Sequence, residues 1–122
     1  MKDLGNGGSI ILASSASGLR ASRGMTAYSM AKFALRGLSL TAANELGPYG
    51  IRINTIHPSG VDSPMFEMSW PAEERNTMLL SVPLRRWAQP NDIAAVIAFL
   101  ASNDAQYLTG GAYKVDGGSV YN

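Results

Sequence analysis

Two short β-type runs stand on either side of one long helical stretch, and this alternation limits the possible folds more than any other feature of the chain. The first run, Ser9-Ile10-Ile11-Leu12-Ala13, is continuously apolar after its serine and reads as a buried strand over about 8–14. The second, Ile51-Arg52-Ile53-Asn54-Thr55-Ile56, reads as a strand over about 50–56 that Pro58 ends. Between them Ala27, Ala31, Ala34, Leu35, Leu38 and Ala42 recur at helical spacing, which predicts a helix over about 26–46 with Gly47-Pro48 as its stop signal. Two strands joined through a long helix imply a parallel pair and a right-handed crossover.

A third helix is predicted over about 90–102, where Ile93, Val96, Ile97 and Leu100 fall at i, i+3, i+4 and i+7 and Asp92 suits the positive helix end. Gly110-Gly111 then turns into a last strand, about 112–115, closed by Asp116-Gly117-Gly118. These elements predict an α/β, three-layer arrangement with a short parallel sheet of about three strands. Residues 16–25 read as a loop, and 62–86 as an irregular segment with one short helix from Pro71. Met65, Phe66, Met68 and Trp70 make that segment unusually apolar, as either a satellite core cluster or a mobile lid over a substrate pocket would be.

A chain of 122 residues is long enough for one domain that buries roughly 65% of its unfolded surface, so 1–122 is read as a single domain. A net charge of +1 argues against nucleic acid or a membrane surface as partners held by charge. With no cysteine there are no disulfides or thiolate metal sites, and no metal site is expected. The longest apolar run, 93–101, is too short to cross a bilayer, and Met1-Lys2-Asp3-Leu4 leads to no signal core, so a cytoplasmic location is expected. Gly5-Asn6-Gly7-Gly8 is no phosphate-binding loop, because such a loop follows a strand and these glycines precede one.

The chemistry concentrates in Ala27-Tyr28-Ser29-Met30-Ala31-Lys32 and in Ser15 ahead of it. At the start of a helix, Tyr28 and Lys32 stand at i and i+4 and share a face. An ammonium about 5 Å from a phenolate stabilises it by roughly 3 kcal/mol at an effective dielectric near 20, and by less than about 1 kcal/mol in water. The tyrosine is thereby better fitted to proton transfer, provided the corner is dry. The bare pair also occurs on ordinary helix surfaces. A serine at a strand end and a tyrosine at a helix start can, however, converge on one small oxygen atom.

Ser15, the Tyr28-Lys32 spacing, Asn54-Thr55-Ile56-His57-Pro58-Ser59-Gly60-Val61-Asp62-Ser63-Pro64-Met65 and Val115-Asp116-Gly117-Gly118, in that order, resemble the short-chain dehydrogenase/reductase family. The resemblance covers essentially the whole chain but only the C-terminal half of such an enzyme. It implies a partial Rossmann-type αβα fold and NAD(P)-dependent hydride transfer between an alcohol and a ketone or aldehyde. It casts Tyr28 as general acid/base and Ser15 as hydrogen-bond donor to the substrate oxygen, the family spacing to the tyrosine favouring Ser15 over Ser14. Lys32 would assist Tyr28, the two residues meeting the nicotinamide ribose together. Pro58, Ser59, Gly60 and Val61 match the turn beside the nicotinamide, with the Val61 backbone at its carboxamide. Ser63 stands near the pyrophosphate, where threonine is usual, and Ser59 stands where glycine is commoner. Asp116 is read as a turn residue. The His57-Pro58-Ser59-Gly60-Val61 variant is similar to carveol-dehydrogenase-like members acting on small hydrophobic alcohols.

The glycine-rich cofactor loop, the residue choosing NAD or NADP and the family's catalytic asparagine belong to the half not seen here. The resemblance therefore implies binding on the nicotinamide side alone, a first strand left open along one edge, and a lone chain with weak or no activity. It also implies a homo-oligomer or a second chain supplying the missing half, and the long helix is used by the family in subunit contacts. The alternatives are a truncated, inactive structural or interaction module, and a serine hydrolase assembled from Ser15, His57 and Asp62. Against the hydrolase, no G-x-S-x-G elbow is present.

Overall fold

The structure, a computed structural model, describes residues 1–120. Three strands, β1 (Gly8–Ala13), β2 (Ile51–Pro58) and β3 (Ala112–Val115), form a parallel sheet in the order β1-β2-β3. Ile10 pairs with Ile53 and Ala13 with Ile56 on one side of β2, and Thr55 pairs with Ala112 on the other. The long helix α1 (Thr26–Leu46) makes the crossover from β1 to β2 over the span its small-residue periodicity predicts. Helix α4 (Pro90–Ala101) returns the chain to β3, with Pro90 in its first turn and the Asp92 carboxylate accepting from the Gln89 N–H at 2.7 Å.

Side chains alternate across β2 and so assign the two helices to opposite faces. Arg52 reaches the end of α4, donating to the Ser102 carbonyl at 3.2 Å, and its register partner Ser9 donates to the Leu100 carbonyl at 3.0 Å. His57, an odd number of residues away, points to the other face, where Arg36 of α1 contributes a repulsive charge. Arg36 also ties α1 to the turn before β3, donating to the Gly110 carbonyl at 2.6 Å. Ile51, Ile53, Ile56 and Leu100 fill the core, and Ser39 is the one α1 side chain fully buried. Its hydroxyl is satisfied within the helix by the Arg36 carbonyl at 3.0 Å.

The segment 62–86 differs from its expected irregularity. It holds two helices, α2 (Pro64–Ser69) and α3 (Ala72–Leu79), and Pro71 is the cap before α3 rather than its first residue. The overlooked start signal is Ser63-Pro64: the Ser63 hydroxyl accepts from the Phe66 N–H at 3.4 Å, and Pro64 sits where its missing N–H costs nothing. Phe66 packs edge-on to Trp87 at 5.0 Å, but Met65 and Met68 are 73% and 88% exposed, so only part of this apolar segment is a core cluster. The strands also shift slightly, with β1 ending at Ala13 and β2 running on to Pro58. In the loop after β1, Ala16–Gly18 form a single 3-10 turn.

Candidate active site

One corner of the molecule is built where β1 ends and α1 begins. The Ser14 hydroxyl donates to the Lys32 carbonyl at 2.9 Å, and the Lys32 ammonium donates back to the Ala13 carbonyl at 3.1 Å. Gly18 closes this staple. A side-chain carbon there would lie 2.8 Å from the Lys32 carbonyl oxygen and 2.5 Å from the Ser14 hydroxyl, so the turn can approach the helix only as glycine. Tyr28 starts one turn before Lys32 on the same face, its ring centroid 5.4 Å from the ammonium and its side chain 41% exposed.

Ser15 follows in extended backbone (φ −160°, ψ 164°) as the cap of the 3-10 turn, and its hydroxyl oxygen accepts from the Ser17 N–H at 3.1 Å. That bond uses the oxygen as acceptor and leaves the hydroxyl proton to be donated elsewhere. Lys32 is thus bonded to the strand end two residues before Ser15, and Tyr28 stands one turn before Lys32 on the same helix.

The second group lies at the C-terminal end of β2. Ser59 is bound into the sheet end, its N–H donating to the Val115 carbonyl at 3.4 Å and its hydroxyl to the Asp116 carbonyl at 3.3 Å. Gly60 is required by aromatic packing: a side-chain carbon would stand 2.5 Å from the Trp87 ring and 2.9 Å from that of Phe66. Val61 bridges to Ala88 in parallel fashion, through the Ala88 N–H to the Gly60 carbonyl at 3.1 Å and the Asp62 N–H to the Ala88 carbonyl at 2.8 Å. In such a bridge the flanking groups are used and the Val61 N–H turns to the opposite side. The Ser63 hydroxyl donates to the Val61 carbonyl at 3.1 Å and caps α2, so it is engaged within the turn.

The hydrolase arrangement is not formed. His57 meets the Ser15 backbone carbonyl at 2.9 Å through Nδ1, and Asp62 accepts from the Gln89 amide at 3.0 Å. His57 is completely buried, and removal from water holds its imidazole below the ordinary value of 6.5, against the opposing pull of the Ser15 carbonyl. Asp116 is a turn residue as read, its carboxylate accepting from the Gly118 and Val120 N–H groups at 3.0 and 2.9 Å. Among the described residues no three His, Asp or Glu side chains group closely enough to hold a metal ion.

Sequence reasoning missed Ser14 and Gly18 as the staple and Trp87 as the wall behind Gly60. A serine and a glycine at a strand end were visible signals; the Trp87 contact had none, being a long-range packing partner. Among the described residues no helix is long and apolar enough to cross a membrane.

A family model described as enoyl-(acyl carrier protein) reductase matches residues 1–120. The chain is 42% identical over 120 residues to a 3-alpha-(or 20-beta)-hydroxysteroid dehydrogenase of Mycobacterium tuberculosis, covering 98% of this chain and 44% of that protein. It is 39% identical over 113 residues to a 3-oxoacyl-[acyl-carrier-protein] reductase of Thermotoga maritima, covering 93% of this chain and 46% of that protein. The crystal structure of levodione reductase superposes with a TM-score of 0.92 at 34% identity, over 97% of this chain and 48% of that one. A short-chain type dehydrogenase/reductase from Mycobacterium ulcerans superposes with a TM-score of 0.91 at 32% identity, over 97% of this chain and 43% of that one. The chain thus spans a little under half the length of the relatives it matches.

Proposed function

The chain belongs to the short-chain dehydrogenase/reductase family, and from that membership we propose that it carries the proton-transfer and nicotinamide-side half of an NAD(P)-dependent alcohol/carbonyl oxidoreductase. The single observation that carries this reading is the corner at which Lys32 is bonded to the end of β1 while its ammonium stands 5.4 Å from the Tyr28 ring. In the reducing direction the Tyr28 hydroxyl gives its proton to the substrate oxygen, and in the oxidising direction it takes the alcohol proton. The Ser15 hydroxyl donates to the same oxygen as negative charge grows there. The Lys32 ammonium favours charge on the phenol oxygen. That influence is greater the more completely the corner is closed to water.

Bound NAD or NADP supplies the hydride acceptor or donor. The residues present fit its nicotinamide side: the Val61 N–H, turned away from Ala88, would offer the carboxamide a donor, and the Lys32 ammonium, with one N–H on the Ala13 carbonyl, has two more with which it would hold ribose hydroxyls. Pro58, Ser59 and Gly60 form the wall, and Ser63 supports it by holding the Val61 carbonyl. Met65 and Met68, exposed on α2 just after that turn, suit a small hydrophobic alcohol or carbonyl substrate.

The adenine side of the cofactor needs residues beyond these, supplied by a further segment or a second chain. The open edge of β1 and the share of the relatives' length that is matched support this. Met30, Phe33 and Leu38, exposed along the outer side of α1, support a homo-oligomeric contact. The relatives are described as dehydrogenases and reductases, which favours an oxidoreductase over a non-catalytic module.

The test is nicotinamide fluorescence on mixing with NADH and with NADPH, followed by turnover of a small cyclic ketone by the wild type and by Tyr28→Phe. Removing a general acid should lower turnover by about 10²–10⁴-fold with the fold unchanged. Equal turnover by the two proteins would end the proposal.

A further inference from the structure

The buried imidazole of His57 has no part in the chemistry described above, yet both its nitrogens are bonded, and one of them to Ser15. Its surroundings follow from the end of the β1–β2 ladder. Ser14 still belongs to that ladder, its N–H donating to the Ile56 carbonyl at 2.9 Å. Ala13 is in register with Ile56, so Ser14 stands opposite residue 57, and the next rung would run from the N–H of residue 58 to the Ser14 carbonyl. Residue 58 is proline and has no N–H to give. The peptide ladder therefore stops at the residue before Ser15. The next contact between the two strand ends is made by a side chain, from His57 Nδ1 to the Ser15 carbonyl at 2.9 Å.

A carbonyl oxygen only accepts, so this bond requires the proton on Nδ1. In the neutral ring Nε2 is then a lone pair, and Thr55 Oγ1 lies 2.8 Å from it. The Thr55 hydroxyl has one proton and two candidate acceptors, Nε2 and the Gly111 carbonyl at 3.1 Å. Gly111 does not depend on it, because its carbonyl already accepts from the Thr55 N–H at 2.9 Å. The hydroxyl can thus turn to the ring and leave no buried group without a partner. Every donor and acceptor is satisfied by one arrangement: Thr55 hydroxyl to Nε2, Nδ1–H to the Ser15 carbonyl. Full burial and the neighbouring Arg36 of α1 act in the same sense, against a second proton on the ring.

We propose that His57, as its Nδ1–H tautomer, is a positioning residue that fixes Ser15 in place of the peptide rung removed by Pro58. Its reach into the reaction rests on the reading of Ser15 as the donor to the substrate oxygen. The anchor itself does not. Thr55 orients the ring, the ring holds the Ser15 peptide, and the peptide sets where the Ser15 hydroxyl stands. The Ser17 N–H, bonded to that hydroxyl at 3.1 Å, reports on the result without any turnover being needed.

The experiment compares the whole chain with its His57→Asn and His57→Leu variants. An asparagine amide can stand near the place of Nδ1–H and keep the Ser15 bond, whereas leucine fills the space without a donor. Long-range proton–nitrogen correlation NMR should show the wild-type ring as the neutral Nδ1–H tautomer. Hydrogen exchange at the Ser17 amide should be about tenfold faster in His57→Leu and near wild type in His57→Asn, with the amides of Ile53 and Thr55 unchanged in both.

An Nε2–H tautomer would overturn the proposal, as would equal Ser17 exchange in the two variants. If His57→Leu fails to fold, the tautomer and the His57→Asn exchange still decide. Where the wild type turns over substrate, kcat should fall in His57→Leu with KM little changed, and recover in His57→Asn. A wild type that shows no turnover would count against the proposed function and leave the anchor to be judged by the two NMR readouts.

Discussion

Neighbouring strands of one sheet have different surroundings. In β2 all side chains but Arg52 and Pro58 are buried, whereas in β1 none of the six residues is. Ile53 and Ile10 stand in register, yet Ile53 is 3% exposed and Ile10 is only half-buried. The cause is position: β2 is paired on both sides, and β1 only on one. The helix after β1 repeats the contrast, with Ser39 fully buried on its inner side and Met30 70% exposed on its outer side. The proposed site draws on both regions. The cofactor turn and His57 rest on the closed strand, while Ser15, Tyr28 and Lys32 stand where the open strand ends. What this chain completes by itself is the support beneath the reacting groups; what it leaves open is their flank, where dryness would give Lys32 its effect on Tyr28.

The sharpest way to break this comparison is to truncate the two paired isoleucines. Ile53→Ala should cost about 2–5 kcal/mol, because the lost side chain is fully packed and leaves a cavity. Ile10→Ala should cost about 1 kcal/mol, since part of that surface already meets water. Denaturant midpoints at constant slope measure both. Equal costs would mean that the edge of β1 is covered in solution. A rise in the Ile10→Ala cost with protein concentration would identify the cover as a second copy of the chain.

A smaller effect separates the staple from the core. Gly18→Ala brings a methyl carbon to 2.8 Å from the Lys32 carbonyl oxygen, a backbone atom that cannot swing aside. Overpacking of this kind costs about 1–3 kcal/mol. Because the clash lies between the 3-10 turn and α1, hydrogen exchange should accelerate at Ser14 and Lys32 and not along β2. Uniform acceleration would show that the corner and the closed strand open as one unit.

Much of this arrangement could be read before any coordinates. The crossover helix was legible to its ends because a run of small apolar residues at helical spacing closes on Gly47-Pro48. The sheet was legible because two apolar runs and one long helix admit few connections. Tyr28 and Lys32 were placed on one face by spacing alone, as the ring-to-ammonium distance bears out. Helix α2 was less legible because six residues are too few to show a helical period, which leaves the Ser63 cap and Pro64 as its sole signals. The His57 anchor was not legible for another reason. It depends on register, since only the pairing of Ala13 with Ile56 puts Pro58 where the next donor should be.

Acid should separate the buried imidazole of the closed strand from the exposed start of α4 by pH, and this is the smallest effect expected. His57 is buried with its folded value below 6.5, so the unfolded chain takes up a proton first as pH falls. Its contribution is therefore present above about pH 6.5 and is lost progressively below it. Asp92, at the exposed start of α4, is held at about 2 against an ordinary 3.8 by the Arg86 guanidinium at 2.6 Å and the Gln89 N–H. Its contribution is present above about pH 3.8 and is lost as pH falls toward 2. A plot of stability against pH should then show two descents. His57→Asn should flatten the upper one and leave the lower, and Asp92→Asn should do the reverse, with the lower descent also weakening in salt because that pair faces solvent. An upper descent that survives His57→Asn would show that the imidazole is not the group titrating there, and would place the acid sensitivity outside the closed strand.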